Sequence, residues 1–134
     1  MQDRTDSRSA DPPAAEPQTT VQVDWRAVVE DLGGDESLLR ELIDVFLTSY
    51  PEMLNEVRQG LEQGDMRRAS RGSHKIAGTV GNFGFGPAYG AARTLEQSAN
   101  ASRTADAQCE FEAVQKEVQH LADIMQSYLR AGFA

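Results

Sequence analysis

The chain has 134 residues, with 13 lysines and arginines against 21 aspartates and glutamates, for a formal net charge of −8. That length carries one domain around one core, and the charge lacks the basic footprint that nucleic acid requires and disfavours an anionic membrane surface. Cys109 is the sole cysteine, which excludes an intrachain disulfide and a thiolate metal cluster and agrees with a reducing compartment.

Residues 1–20 are polar and without periodicity, so ordering entropy outweighs the burial they offer. They are predicted to be a disordered tail or linker, with the folded domain over 21–134. The tail has no apolar stretch of the kind a signal peptide needs, and no run elsewhere approaches a membrane span; a cytoplasmic location is expected. Asp24 is placed to cap a short helix over 25–31, closed by Gly33-Gly34. Asp35 caps a long helix whose stripe is Leu39, Ile43, Phe46, Tyr50, Met53, Leu54, Val57 and Leu61, a sustained helical period. Pro51 is expected to kink this helix without breaking it, and Gly60 and Gly64 to mark its end.

Asp65 opens the next helix, read to about Phe83, and Gly84-Phe85-Gly86 forms the turn. Pro87 suits the first position of the following helix, whose small residues Ala88, Ala91, Ala92 and Ala99 around Leu95 imply close packing. After a polar loop over 100–104, a last helix over 106–130 carries Phe111, Val114, Val118, Leu121, Met125 and Tyr128. No alternating strand pattern or internal repeat is present. The predicted architecture is all-α: an antiparallel up-and-down four-helix bundle with a short extra N-terminal helix. No continuous apolar face is left over, so a monomer is expected.

The third helix holds the most informative stretch. At about 100° per residue, Ala69, Gly72, Ile76, Val80 and Phe83 share one side, and His74 lies opposite. Around His74 the projection places Arg67, Ser70, Arg71, Ala77, Gly78 and Gly81, with Lys75 flanking. Glycine inside a helix costs roughly 0.5–1 kcal/mol against alanine; on an exposed face beside a histidine, close approach of a partner's backbone accounts for Gly78 and Gly81. The arginines and Lys75 make a local basic patch suited to an acidic partner or a phosphoryl group. A neutral imidazole is a competent nucleophile, and an open helical face suits chemistry with a large partner.

Other chemistry is poorly supported. His120 has no histidine four residues away and no Glu-x-x-His partner, so it reads as a boundary residue, and no metal site is predicted. Gly78, Gly81 and Gly84 are spaced by three, unlike a phosphate loop, and no strand precedes them; no nucleotide site or kinase activity is expected.

The run His74-Lys75-Ile76-Ala77-Gly78, followed by Gly81, Gly84 and Leu95-Glu96, together with the upstream Tyr50-Pro51-Glu52-Met53-Leu54, resembles the histidine-containing phosphotransfer (HPt) domain family over about residues 23–129. The resemblance implies a carrier in a His–Asp phosphorelay. His74 would accept a phosphoryl group, at Nε2, from an aspartate of a hybrid sensor kinase's receiver domain and pass it to a response regulator. Magnesium would be held by the receiver, with no cofactor on this chain. Ala77 departs from the family, which often has lysine there; that shifts support of the phosphoryl group to Arg67, Arg71 or Lys75, or to the partner. The competing reading is an HPt-like adaptor that binds a receiver without carrying phosphate.

Overall fold

Three aspartates open three helices. The side chains of Asp24, Asp35 and Asp65 accept from the backbone N–H of Ala27 at 3.2 Å, Leu38 at 3.0 Å and Arg68 at 3.0 Å, each satisfying one donor that a helix start leaves unpaired. The computed structural model describes residues 23–84 and 86–131. In chain order it contains α1 (Trp25–Asp31), α2 (Glu36–Glu62), α3 (Met66–Val80), a 3₁₀ turn (Gly81–Phe83), α4 (Pro87–Asn100) and α5 (Thr104–Ala131). Among the described residues every regular element is helical. The expected tail over 1–20, and Phe85 of the expected turn, lie outside the described residues.

Each long helix packs on the next, and α2 also meets α5, which closes a four-helix ring. Cross-helix contacts give the sense. Arg58 near the end of α2 lies over Phe111 near the start of α5, whereas Glu36 at the start of α2 bonds Tyr128 at the end of α5. The same crossing order relates α2 to α3, where Met53 meets Thr79 and Glu56 meets Arg68, and α3 to α4. The bundle is therefore antiparallel, as the apolar stripes predict. Every residue of the α2 stripe is buried except Tyr50, which is half-buried, and Phe46 joins it by stacking on Tyr50 and meeting Phe83 edge-on. The short α1 lies across one end, where Trp25 packs on the Tyr128 ring at 4.6 Å.

Several boundaries differ from the sequence reading. The histidine helix ends at Val80, and its expected last turn tightens into the 3₁₀ turn Gly81–Phe83, a common way to close a helix. Both flanking helices reach into the predicted polar loop, leaving Ala101–Arg103 with Ser102 in the left-handed region. Gly64, at φ +71°, forms the α2–α3 turn, but Gly60 does not end α2. It sits inside the helix where a Cβ would come within 2.8 Å of the Ala69 backbone nitrogen, so its role is close approach of α3. Pro51 is accommodated within a continuous α2.

Tyr128 ties the two ends of the chain's largest helices together. Its hydroxyl donates to Glu36 Oε2 at 2.6 Å, and burial, then the hydrogen bond to Glu36, push its phenol up to about 12. The unfolded phenol ionises near pH 10; the stabilisation is therefore complete below that pH and lost as pH rises toward the folded value. Tyr128→Phe should cost about 1 kcal/mol near neutral pH, and the gap to wild type should narrow between about pH 10 and 12. Urea denaturation across that range checks both, and a gap that stays constant contradicts the assignment.

Candidate functional site

α3 is held between two neighbours, and its side chains divide accordingly. On the α2 side, a Cβ at Gly72 would lie 2.7 Å from Val57 Cγ2, so this glycine sets the helix separation, as its inward position predicts. Arg68 locks the same side. Its guanidinium donates to both oxygens of Glu56, at 3.0 and 3.1 Å, and to Gln59 at 2.6 Å. The hydrogen bond to Arg68, and then its charge, hold the Glu56 carboxyl below its ordinary range, and Arg71 and Lys75 lower it further. Arg71 and Lys75 are exposed and line a shallow depression with Val45, Glu52, Glu56 and Thr79. Arg71 and Lys75 thus stand on the α2 side of the helix, in the same depression as Glu52 and Glu56. Arg67 is exposed in the first turn of α3.

On the α4 side stands the histidine. The His74 side chain is 75% exposed, and its Nδ1 lies 2.9 Å from Glu96 Oε2. A carboxylate only accepts, so a neutral ring held in this contact carries its proton on Nδ1 and its lone pair on Nε2. Glu96 itself is only 15% exposed, and its second oxygen lies 3.3 Å from Arg93 Nε. One turn before His74, the Ser70 hydroxyl bonds Asn100 Oδ1; Ser70 is half-buried and serves to join α3 to α4.

Ala77 is not on the open face. It is 2% exposed, like the neighbouring Ser73 at 0%. The sequence projection treats α3 as having one buried stripe, but a helix packed against both α2 and α4 buries a wider arc, which takes in Ser73 and Ala77 on the side of Ser70. Gly81 is likewise displaced from the expected patch. It is half-buried where α3 turns into the 3₁₀ segment and lines a depression with Ala27 and Val28 of α1. Gly78 fulfils the expectation: it is exposed, and a Cβ there would meet nothing within 4 Å. His120 is half-buried on α5. Among the described residues no three histidine, cysteine, aspartate or glutamate side chains are grouped to hold a metal ion.

Glu96 is the residue that sequence reasoning left without a role. A signal for it exists. In an antiparallel helix pair, residues equally far along the chain from the turn stand at the same height. His74 and Glu96 are equally far from position 85, and so are Ser70 and Asn100.

The family model of the Hpt domain matches residues 41–128, which includes both His74 and Glu96. The chain belongs to the HPt domain family. HPt domains take part in phosphorelay phosphotransfer and interact with receiver domains of two-component systems. The fold is similar to the crystal structure of the HPT domain of an Hpt sensor hybrid histidine kinase from Shewanella, with a TM-score of 0.72, 18% sequence identity, and coverage of 84% of this chain and 97% of that one. No curated protein matches the chain. Among the described residues of this HPt domain, no helix is long and apolar enough to cross a membrane.

Gly78 and Gly60 make opposite predictions. Gly78→Ala should stabilise the domain by about 0.5–1 kcal/mol, because it adds helix propensity in open space. Gly60→Ala should destabilise it by about 1–3 kcal/mol, because backbone must move. Thermal unfolding of the two variants measures this, and a loss of stability in Gly78→Ala contradicts the open-face assignment.

Proposed function

We propose that this HPt domain is a phosphoryl carrier of a His–Asp phosphorelay, with His74 as the residue that takes the group. The observation that carries the reading is the Nδ1–Glu96 hydrogen bond on an otherwise exposed ring. It directs the Nε2 lone pair outward from a rigid helix. In the proposed step that lone pair attacks phosphorus of an aspartyl phosphate on the receiver domain of a hybrid sensor kinase. The N–P bond forms as the P–O bond to the aspartate breaks, and the aspartate leaves as a carboxylate. The ring, now carrying Nδ1–H and the phosphoryl group, bears positive charge that the Glu96 carboxylate offsets. Because the proton stays on Nδ1, the imidazole can leave as a neutral group when an aspartate of a second response regulator attacks the phosphorus. The step is therefore reversible.

Catalysis in this scheme is positioning plus charge. Magnesium is held by the receiver, and this chain supplies the nucleophile without a cofactor of its own. Gly78 clears the face for the partner's backbone. Val45 on α2, 60% exposed, offers an apolar contact beside the depression lined by Arg71 and Lys75, which suits the acidic rim of a phosphoryl-accepting site. The domain works as a cytoplasmic monomer in this reading. The competing adaptor reading drew on Ala77; because that side chain is buried in the bundle, its identity does not remove the nucleophile.

The test is phosphorylation by a small phosphoramidate donor, read by intact mass on wild type, His74→Gln and His120→Gln. One acid-labile phosphoryl group in wild type and His120→Gln, absent in His74→Gln, is expected. Wild type that stays unlabelled, or labelling that survives in His74→Gln, overturns the carrier in favour of the adaptor.

A further inference from the structure

The side chains that surround His74 include one with no assigned task. Position 77 is a buried alanine and supplies no cation, and Arg71 and Lys75 line the depression on the α2 side, where their charges bear on Glu56. On the α4 side, Glu96 Oε1 is sealed from solvent and makes no hydrogen bond. A carboxylate oxygen in that position is costly unless a charge compensates it. The charge beside it is Arg93, whose Nε is 3.3 Å away. Arg93 is itself steadied by Tyr89: its Nη1 donates to the phenol oxygen at 3.0 Å, and the guanidinium carbon lies 5.9 Å from the ring centre. Tyr89, Arg93 and Glu96 are spaced by four and three residues along α4, one side of a helix. Their contacts form a continuous chain that ends on the histidine ring.

We infer that Arg93 is a positioning residue for phosphotransfer, acting through Glu96 to hold the proton on His74 Nδ1. The inference rests on the carrier reading of His74. The ion pair is partly exposed on the arginine side, where such pairs contribute little to stability; its effect is on the state of Glu96. With the cation gone, the sealed oxygen is relieved by swinging the carboxylate to water, and that rotation ends the grip on Nδ1–H. The neutral ring then returns to the mixture of a free histidine, in which the proton is mostly on Nε2 and the outward nitrogen has no lone pair.

The experiment is ¹⁵N NMR of the His74 ring in the full chain at a pH where the imidazole is neutral, with phosphoramidate labelling measured on the same samples. Wild type should show the Nδ1–H form. Arg93→Gln should move the ring nitrogens toward the free-histidine mixture and slow labelling by about tenfold, at unchanged helical circular dichroism. Arg93→Lys, which keeps the charge, should return both readouts toward wild type. Wild-type ring shifts and labelling rate in Arg93→Gln would overturn the inference, as would an Arg93→Lys variant as impaired as Arg93→Gln. A wild type with the Nδ1–H form that is never labelled at His74 would instead sink the carrier reading and leave the Arg93 effect on the ring intact.

Discussion

Close approach of α3 to both of its neighbours is the constraint from which the site follows. Gly60 and Gly72 let α2 and α3 meet with no room for a Cβ at either position. On the other side, Ser73 and Ala77 of α3, and Ala88, Ala92 and Ala99 of α4, keep the facing surfaces small and buried. A carboxylate on α4 reaches an imidazole on α3 at 2.9 Å only because the helix axes are this near. A larger side chain at the packed positions would have to push the helices apart or strain the core, and either response would change the geometry around His74 before it touched the histidine.

Within that frame the two flanks of α3 do different work. On the α2 flank Arg68 is shared among Glu56, Gln59 and Gln63, and the charges of Arg71 and Lys75 bear on the same carboxylate. The α4 flank is arranged around the ring of His74. One ring nitrogen is engaged by Glu96 while most of the side chain stays open, which is what transfer between two proteins demands of a nucleophile: fixed orientation without enclosure. An acidic chain that concentrates arginine and lysine on this one helix also presents a local positive field to an acidic partner.

Much of this was legible in the sequence, and the parts that were not have physical causes. The aspartate caps and apolar stripes located all five helices, since both signals are local. The exposed histidine and the open Gly78 followed from helical projection alone. Ala77 and Gly81 were misplaced because a projection knows one helix and not how many neighbours it has. Gly60 was read as a helix end because a glycine demanded by an approaching helix looks, in one dimension, like a glycine that stops one. Glu96 stood in the motif without a role because its importance is relational: it comes from standing level with His74 across an antiparallel turn. Membership of the HPt family then rests on the match over residues 41–128, while the structural likeness at 18% identity speaks to the fold.

In the proposed carrier, Glu96 leaves Nε2 of His74 as the nucleophile. The most direct measurement is heteronuclear NMR of the phosphorylated chain with ¹⁵N-labelled histidine, which reports the ring nitrogen bonded to phosphorus and the nitrogen that keeps its proton. Phosphorus on Nε2 of His74 and a proton retained on Nδ1 are expected. Phosphorus on Nδ1, or on any residue other than His74, would contradict it.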